Sequence, residues 1–238
     1  MAFRNPFAKK VEDHLTEKQR SLITHFAPKS PISEQFRAIR TNIQFASPDI
    51  TLKRLLVTST SPGEGKSTTA ANLAIVLAQQ ENRVLLIDGD MRKPTGHFTF
   101  QLPNKQGLSN VLAKQTSLAN SIQASQIEGV SVLTCGPIPP NPAELLGSKQ
   151  MEAVLQEAEE MFDYVIIDSP PILAVTDAQL LAAKVEGVVL VTSSGKTERE
   201  AAKKSKELLD NAHARILGVI LNRKDKKETT YYYYYGND

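Results

Sequence analysis

The chain has 238 residues, with 28 Lys+Arg against 26 Asp+Glu and a formal net charge of +2, which excludes a strongly basic protein that coats nucleic acid. Hydrophobic residues make up 41% and charged residues 23%, proportions that exclude global disorder and predict one domain with appendages. The longest apolar runs, such as 84–87 and 188–191, fall far below the ~18 residues that span a bilayer, so a soluble chain is expected.

Arg4, Lys9 and Lys10 have no apolar stretch behind them, which argues against a secretory signal. Residues 1–30 lack sustained periodicity and end in Ala-Pro-Lys-Ser-Pro, the signature of an N-terminal arm meeting a boundary. From Ser33 to Ile43, Phe36, Ile39 and Ile43 recur at helical spacing and predict a first helix. Short apolar runs then alternate with helical segments. Strands are predicted at 55–59, 84–88, 130–134, 164–168, 188–192 and 217–221, and helices at 67–79, 108–112, 148–161, 178–183 and 198–211. Strands that are apolar on both faces and separated by helices imply a doubly wound α/β domain, mostly parallel, with helices on both faces and ligands at the carboxyl ends of the strands. The expected domain runs from 31 to 223, and 224–238 is a tyrosine-rich tail without regular structure.

Charge is uneven along the chain. Residues 1–54 hold 10 basic and 5 acidic side chains, net +5; residues 196–228 hold 10 and 6, net +4; residues 55–195 hold 8 and 14, net −6. Solvated helix faces are one reading, and attraction to an anionic membrane surface or an acidic partner is the other. The single cysteine, Cys135, allows no internal disulfide, suits a reducing cytosol and reads as core. The four histidines share no metal-ligand spacing.

Three segments carry chemistry. The first strand leads into Thr60-Ser61-Pro62-Gly63-Glu64-Gly65-Lys66-Ser67-Thr68 and then a helix. Glycines let backbone wrap a phosphate chain, the helix aims its N–H groups at it, Lys66 adds charge, and the Ser67 hydroxyl suits Mg²⁺. The strict P-loop pattern has Gly where this chain has Thr60. The second strand ends in Asp88-Gly89-Asp90, two acids facing the same crevice, suited to accept a proton from an attacking hydroxyl or to hold metal-bound water. The strand Tyr164-Val165-Ile166-Ile167-Asp168 has the Walker B form, with Asp168 placed to accept from a water on Mg²⁺.

In this order the segments resemble those of bacterial tyrosine kinases (BY-kinases), relatives of the Walker-type partition ATPases. The resemblance covers roughly residues 31–238 and extends to Glu34, Arg37 and Arg40, which fit Glu-x-x-Arg-x-x-Arg, to GPIPPNPAELL at 136–146, and to the cluster Tyr231, Tyr232, Tyr233, Tyr234 and Tyr235. It implies an ATP- and Mg²⁺-dependent kinase. Lys66 would hold the β- and γ-phosphates, and backbone at 63–69, including Glu64 and Thr68, would line them. Ser67 would ligate Mg²⁺, Asp90 and Asp168 would organise the metal shell, Asp88 would accept the tyrosine proton, and Asn222 would read the adenine. Glu34, Arg37 and Arg40 would build a ring, typically an octamer; their alternative reading is an exposed i,i+3 ion pair. The tail tyrosines would be phosphorylated in trans.

The resemblance further implies regulation of capsular or exopolysaccharide synthesis and export. It implies a separate transmembrane activator, a cognate tyrosine phosphatase, polysaccharide-precursor enzymes as possible substrates, no nucleic-acid partner, and a cytoplasmic location at the inner membrane face. The alternatives are a partition or positioning ATPase, which generally carries a second lysine early in the P-loop where Ser61 stands here, and a non-catalytic nucleotide-gated scaffold.

Overall fold

In the computed structural model, which describes residue 16 and residues 21–46 and 52–224, the strand-forming runs close into a single sheet. The strands are β1 (Arg54–Ser59), β2 (Val84–Asp88), β3 (Gln123–Ala124), β4 (Val130–Leu133), β5 (Tyr164–Asp168), β6 (Gly187–Ser193) and β7 (Ile216–Asn222). Their order is β3-β4-β2-β5-β1-β6-β7. Every neighbouring pair is parallel except the antiparallel β3–β4 edge. The chain leaves β1 toward β2 on one side and later leaves β5 toward β6 on the other, so the winding reverses around β1. In such sheets ligands bind outside the strand carboxyl ends at the reversal.

The helices are α1 (Ile23–Phe26), α2 (Pro31–Phe45), α3 (Lys66–Ala78), α4 (Gly96–Phe100), α5 (Leu108–Leu112), α6 (Leu118–Ser121), α7 (Pro142–Gly147), α8 (Lys149–Met161), α9 (Asp177–Ala182) and α10 (Arg199–Asn211). Alternation along each strand feeds two cores. Leu56, Leu85, Ile87, Val165 and Val188 pack with Leu108, Leu155 and Leu181 on one face. Leu55, Val57, Leu86, Ile166, Val189 and Val191 pack with Leu73, Ile75 and Leu77 of α3 on the other. Two covered faces are what a parallel sheet requires.

The strands and the longer helices start and end within about two residues of their expected positions, the precision normal for element ends. The first helix begins earlier than the apolar spacing indicates. Ser30 caps it, accepting from Ser33 N–H at 3.1 Å, and Pro31 occupies the first turn, where its missing N–H costs nothing. The expected arm through residue 30 needs correction for residues 21–30, which pack as part of the domain. Leu22 and Ile23 are buried. The N–H and hydroxyl of Thr24 donate to Asn72 Oδ1 at 3.0 and 2.8 Å, and Asn72 Nδ2 donates to the Ser21 carbonyl at 2.7 Å. A four-residue helix is too short to show a period, and its anchor is a buried polar side chain on α3. α4, α6, α7 and β3 have no counterpart among the predicted elements.

β7 carries an irregularity against β6: Ile216 pairs with Val188 and Gly218 with Val189, leaving Leu217 as an extra residue. Gly187 makes room for it, since a Cβ there would lie 2.3 Å from Leu217 Cδ1. Among the described residues no helix is long and apolar enough to cross a membrane.

Candidate active site

β1 runs into the loop 60–65, and α3 begins at Lys66. Gly63 and Gly65 adopt φ of +77° and +95°, left-handed conformations that side-chain-bearing residues rarely hold. A Cβ on Gly65 would also lie 2.2 Å from Asn222 Nδ2. Glu64 is 1% exposed and braces the loop from within. Its carboxylate accepts from Ser61 N–H at 2.9 Å and from the Thr197 hydroxyl, and its carbonyl accepts from Asn222 Nδ2 at 2.8 Å. Thr68 sits in the exposed first turn of α3, its carbonyl accepting from Asn72 Nδ2 at 2.8 Å.

Lys66 points into a set of acids. Its Nζ lies 3.0 Å from Asp90 Oδ2, 3.4 Å from Asp168 Oδ1 and 3.2 Å from Ser67 Oγ. Burial opposes the ammonium charge, but Asp168 and Asp90 more than offset it and hold Lys66 above its ordinary pKa. Asp90 Oδ1 accepts from Lys93 N–H at 3.0 Å. Asp88 and Asp168 end adjacent parallel strands in direct register, which brings two buried like charges side by side. Burial pushes the Asp88 carboxyl up to about 7, with the Asp168 charge adding to the rise. Burial raises Asp168 as well, against the pull of Lys66. Asp88 is asymmetric. Its Oδ2 accepts from Thr95 N–H at 3.0 Å and Gly96 N–H at 2.8 Å, while its buried Oδ1 has no hydrogen-bond partner among the described residues. A cleft lined by Ser67, Asp88, Thr95, Gly96 and Asp168 opens beside these groups.

Among the described residues there is no group of three His, Cys, Asp or Glu side chains arranged to hold a metal. The donors grouped around Lys66 Nζ are the Ser67 hydroxyl and the Asp90 and Asp168 carboxylates. An all-oxygen set with few carboxylates fits Mg²⁺, which keeps several waters and takes one or two protein carboxylates plus phosphate oxygens.

The structure thus brings together Gly63, Glu64, Gly65, Lys66, Ser67, Asp88, Asp90, Asp168 and Asn222 at one edge of the sheet. Glu34, Arg37 and Arg40 lie apart from them on α2. Arg37 Nη1 pairs with Glu34 Oε1 at 3.0 Å within the chain, and Arg37 also donates to the Pro28 carbonyl. Arg40 Nη1 donates to the Val76 carbonyl at 2.7 Å, and its Nε is buried without a partner among the described residues. The tyrosine cluster 231–235 falls outside the described residues. Four further residues brace this region without a signal among the predicted site residues. Thr197 holds Glu64, the amides of Thr95 and Gly96 hold Asp88, and Arg92 forms a two-bond pair with the fully buried Asp177 at 2.9 and 3.0 Å. Arg92, two residues beyond Asp90, was within reach of motif reading; Thr197, 133 positions from Glu64, was not.

A family model described as an AAA domain matches residues 52–203. The chain is 56% identical over 206 residues to the tyrosine-protein kinase YwqD of Bacillus subtilis, over 87% of each chain. Among solved structures, the chimerical protein CapA2B2 superposes with a TM-score of 0.84 at 48% identity, over 87% of this chain and 91% of that one. The kinase domain of Escherichia coli tyrosine kinase ETK superposes with a TM-score of 0.82 at 32% identity, over 98% and 92% respectively. Relatives of this identity and coverage agree with a phosphate loop facing strand-end aspartates, and the chain belongs to the bacterial tyrosine-kinase family, a P-loop protein-tyrosine kinase.

Proposed function

We propose that this kinase transfers the γ-phosphoryl group of ATP, with Mg²⁺, to the tyrosines at 231–235 of its own tail, in trans within a ring of subunits. The observation that carries the reading is the pairing of Lys66 with Asp90 and Asp168 beside Asp88, a buried carboxylate with one oxygen fixed by two amides and the other without a partner among the described residues. Backbone at 63–69 wraps the phosphates, and Lys66 neutralises the β- and γ-phosphates. Ser67, Asp90 and Asp168 would hold Mg²⁺, which would supply positive charge against that developing on the transferred group. Asp88 Oδ1 takes the proton of the acceptor hydroxyl. The phenolic oxygen bonds to the γ-phosphorus as the bond to the β,γ-bridging oxygen breaks, and ADP leaves. Asn222, bonded to the Glu64 carbonyl at the rim of the loop, faces the adenine.

The tail has a short way to go. β7 ends at Asn222, against the P-loop, and the nine residues from there to Tyr231 reach at most about 30 Å when extended. That length serves either its own site or a neighbour's. A ring favours the neighbour, because each subunit presents its tail to the next at high effective concentration. Glu34 and Arg37, paired within the chain, would exchange partners across subunits, with Arg40 beside them, in a ring of about octameric size by resemblance. The tail 224–238 is then a substrate segment attached to a catalytic domain. Phosphorylation adds about −1.5 to −2 charge per tyrosine, which repels the acidic centre of the chain and loosens the ring. In this reading the cycle regulates capsular or exopolysaccharide synthesis and export. The kinase works at the inner membrane face through a separate transmembrane activator, and is opposed by a tyrosine phosphatase. Basic residues at both ends of the chain favour that surface.

The test is phosphotyrosine mass spectrometry on purified protein with Mg²⁺ and ATP. Lys66→Met is expected to lose tail labelling while keeping its fold, and undiminished labelling would overturn the assignment. Mixing Lys66→Met protein, tail intact, with active protein whose five tail tyrosines are Phe is expected to label the Lys66→Met tails. If they stay unlabelled, transfer in trans is wrong.

A further inference from the structure

The turn between β6 and α10 brings to the phosphate loop a lysine that the P-loop motif does not contain. Ser194 N–H donates to the Asn222 carbonyl at 2.8 Å and Ser193 N–H to Thr197 Oγ1 at 2.7 Å, and the Thr197 hydroxyl donates to Glu64 Oε1. These bonds clamp residues 193–197 between the end of β7 and the P-loop. Gly195, with φ of +69°, turns the chain in open space, where a Cβ would have no neighbour within 4 Å. Lys196 follows. Its Nζ lies 3.8 Å from the point a Cβ on Gly63 would occupy.

The charge there is unanswered among the described residues. Glu64, the carboxylate of the loop itself, is buried and taken up by Ser61 and Thr197. Lys196 is exposed and makes no ion pair among the described residues. Lys66, by contrast, is shared between two carboxylates. An ammonium held on a tethered turn, beside a backbone cradle that receives anions and without a carboxylate partner among the described residues, has an anionic ligand as its complement.

We infer that Lys196 is a second phosphate-binding cation of this kinase, contacting the phosphate chain of the bound nucleotide from the Gly63 side of the loop while Lys66 acts from the start of α3. The inference rests on the nucleotide-binding reading of the P-loop. It makes the β6–α10 turn part of the nucleotide site, with Thr197 and Glu64 as the struts that set the height of the lysine above Gly63.

The experiment measures binding of fluorescent ATP and ADP analogues, and of adenosine by competition, to the full chain with Mg²⁺ present. Lys196→Ala is expected to bind the ATP analogue about tenfold more weakly, the ADP analogue with a smaller loss, and adenosine unchanged, with the gap narrowing as salt is added. Lys196→Arg should recover most of the affinity, and nucleotide-free Tm should match the parent in both variants. Parental affinity of Lys196→Ala for both analogues overturns the inference. So does an equal loss for adenosine, which would mean that the turn had been distorted. A parent protein that binds neither analogue overturns the nucleotide reading itself, so the two failures are distinguishable.

Discussion

At each end of the sheet a largely buried cation stands among three acids, Arg54 at one and Lys66 at the other, and the two groups are built in opposite ways. At the amino edge Arg54 reaches Glu159 at 2.6 Å and Glu152 at 2.8 Å, lies 3.5 Å from Glu186, and donates to the Lys184 carbonyl at 3.0 Å. Burial opposes its charge, but the bonds to Glu159 and Glu152 outweigh it and hold the guanidinium above its ordinary pKa. Its planar fork serves several partners at once, so each charge is answered. At the carboxyl edge Lys66 is a point charge beside Asp90 and Asp168, while Asp88 keeps a buried oxygen without a partner among the described residues. The first cluster stabilises the resting fold. The second leaves Asp88 raised by burial, with one oxygen unpartnered among the described residues, the kind of perturbation that clusters at functional sites.

Substitutions that cross this divide should separate rate from stability. Asp88→Asn is expected to keep ATP binding and cut phosphoryl transfer by roughly 10²-fold or more, the scale for a positioned base, as read from single-turnover rates. Near-normal transfer would remove Asp88 from that role. Arg54→Met should do the reverse: about 2 kcal/mol lost in urea unfolding, because three carboxylates are left crowded and partly buried, with transfer per folded molecule unchanged. The same Asp88→Asn protein, free of metal and nucleotide, should gain about 1 kcal/mol in that assay, since it no longer buries a carboxylate beside Asp168. Smallest is Glu152→Gln, about 0.5 kcal/mol, because Glu152 is 36% exposed and its share of Arg54 is screened by water. If it costs as much as Arg54→Met, the amino-edge cluster is a single all-or-none unit.

The two clusters also differ in how far the sequence announces them. Lys66, Asp88 and Asp168 each stand where a buried apolar strand stops or a helix starts, so hydrophobic pattern and chemistry coincide at one position. Arg54 stands at such a junction too, but its partners are 98, 105 and 132 residues away on α8 and just before β6. Only the parallel winding of the sheet brings them together, and no local pattern encodes a winding. The tie of Asn72 to Thr24 is hidden in the same way, 48 residues apart, which is why the segment before α2 read as an arm. The Glu34–Arg37 pair was legible because its spacing is a helical turn.

The extra residue in β7 works as a change of parity. In an unbroken strand Ile216 and Asn222, six residues apart, would point to the same side of the sheet. Their partners on β6, Val188 and Ser193, are five apart, so the two side chains point to opposite sides instead. Ile216 packs in the layer of α8 and α9, whereas Ile220 packs in the layer of α3, on the side that Asn222 shares. The strand thus presents its first residue to one layer and its last to the other. It delivers Asn222 to the Glu64 carbonyl and the flank of Gly65. Deleting Leu217 would leave Ile216 opposite Val188 and 218–222 in their present pairing, and would remove the one side chain of the irregularity, which packs in the layer of α3. A length change at this site is therefore a matter of core composition at the amino end of β7, and the contact of Asn222 with the loop at the other end is insulated from it.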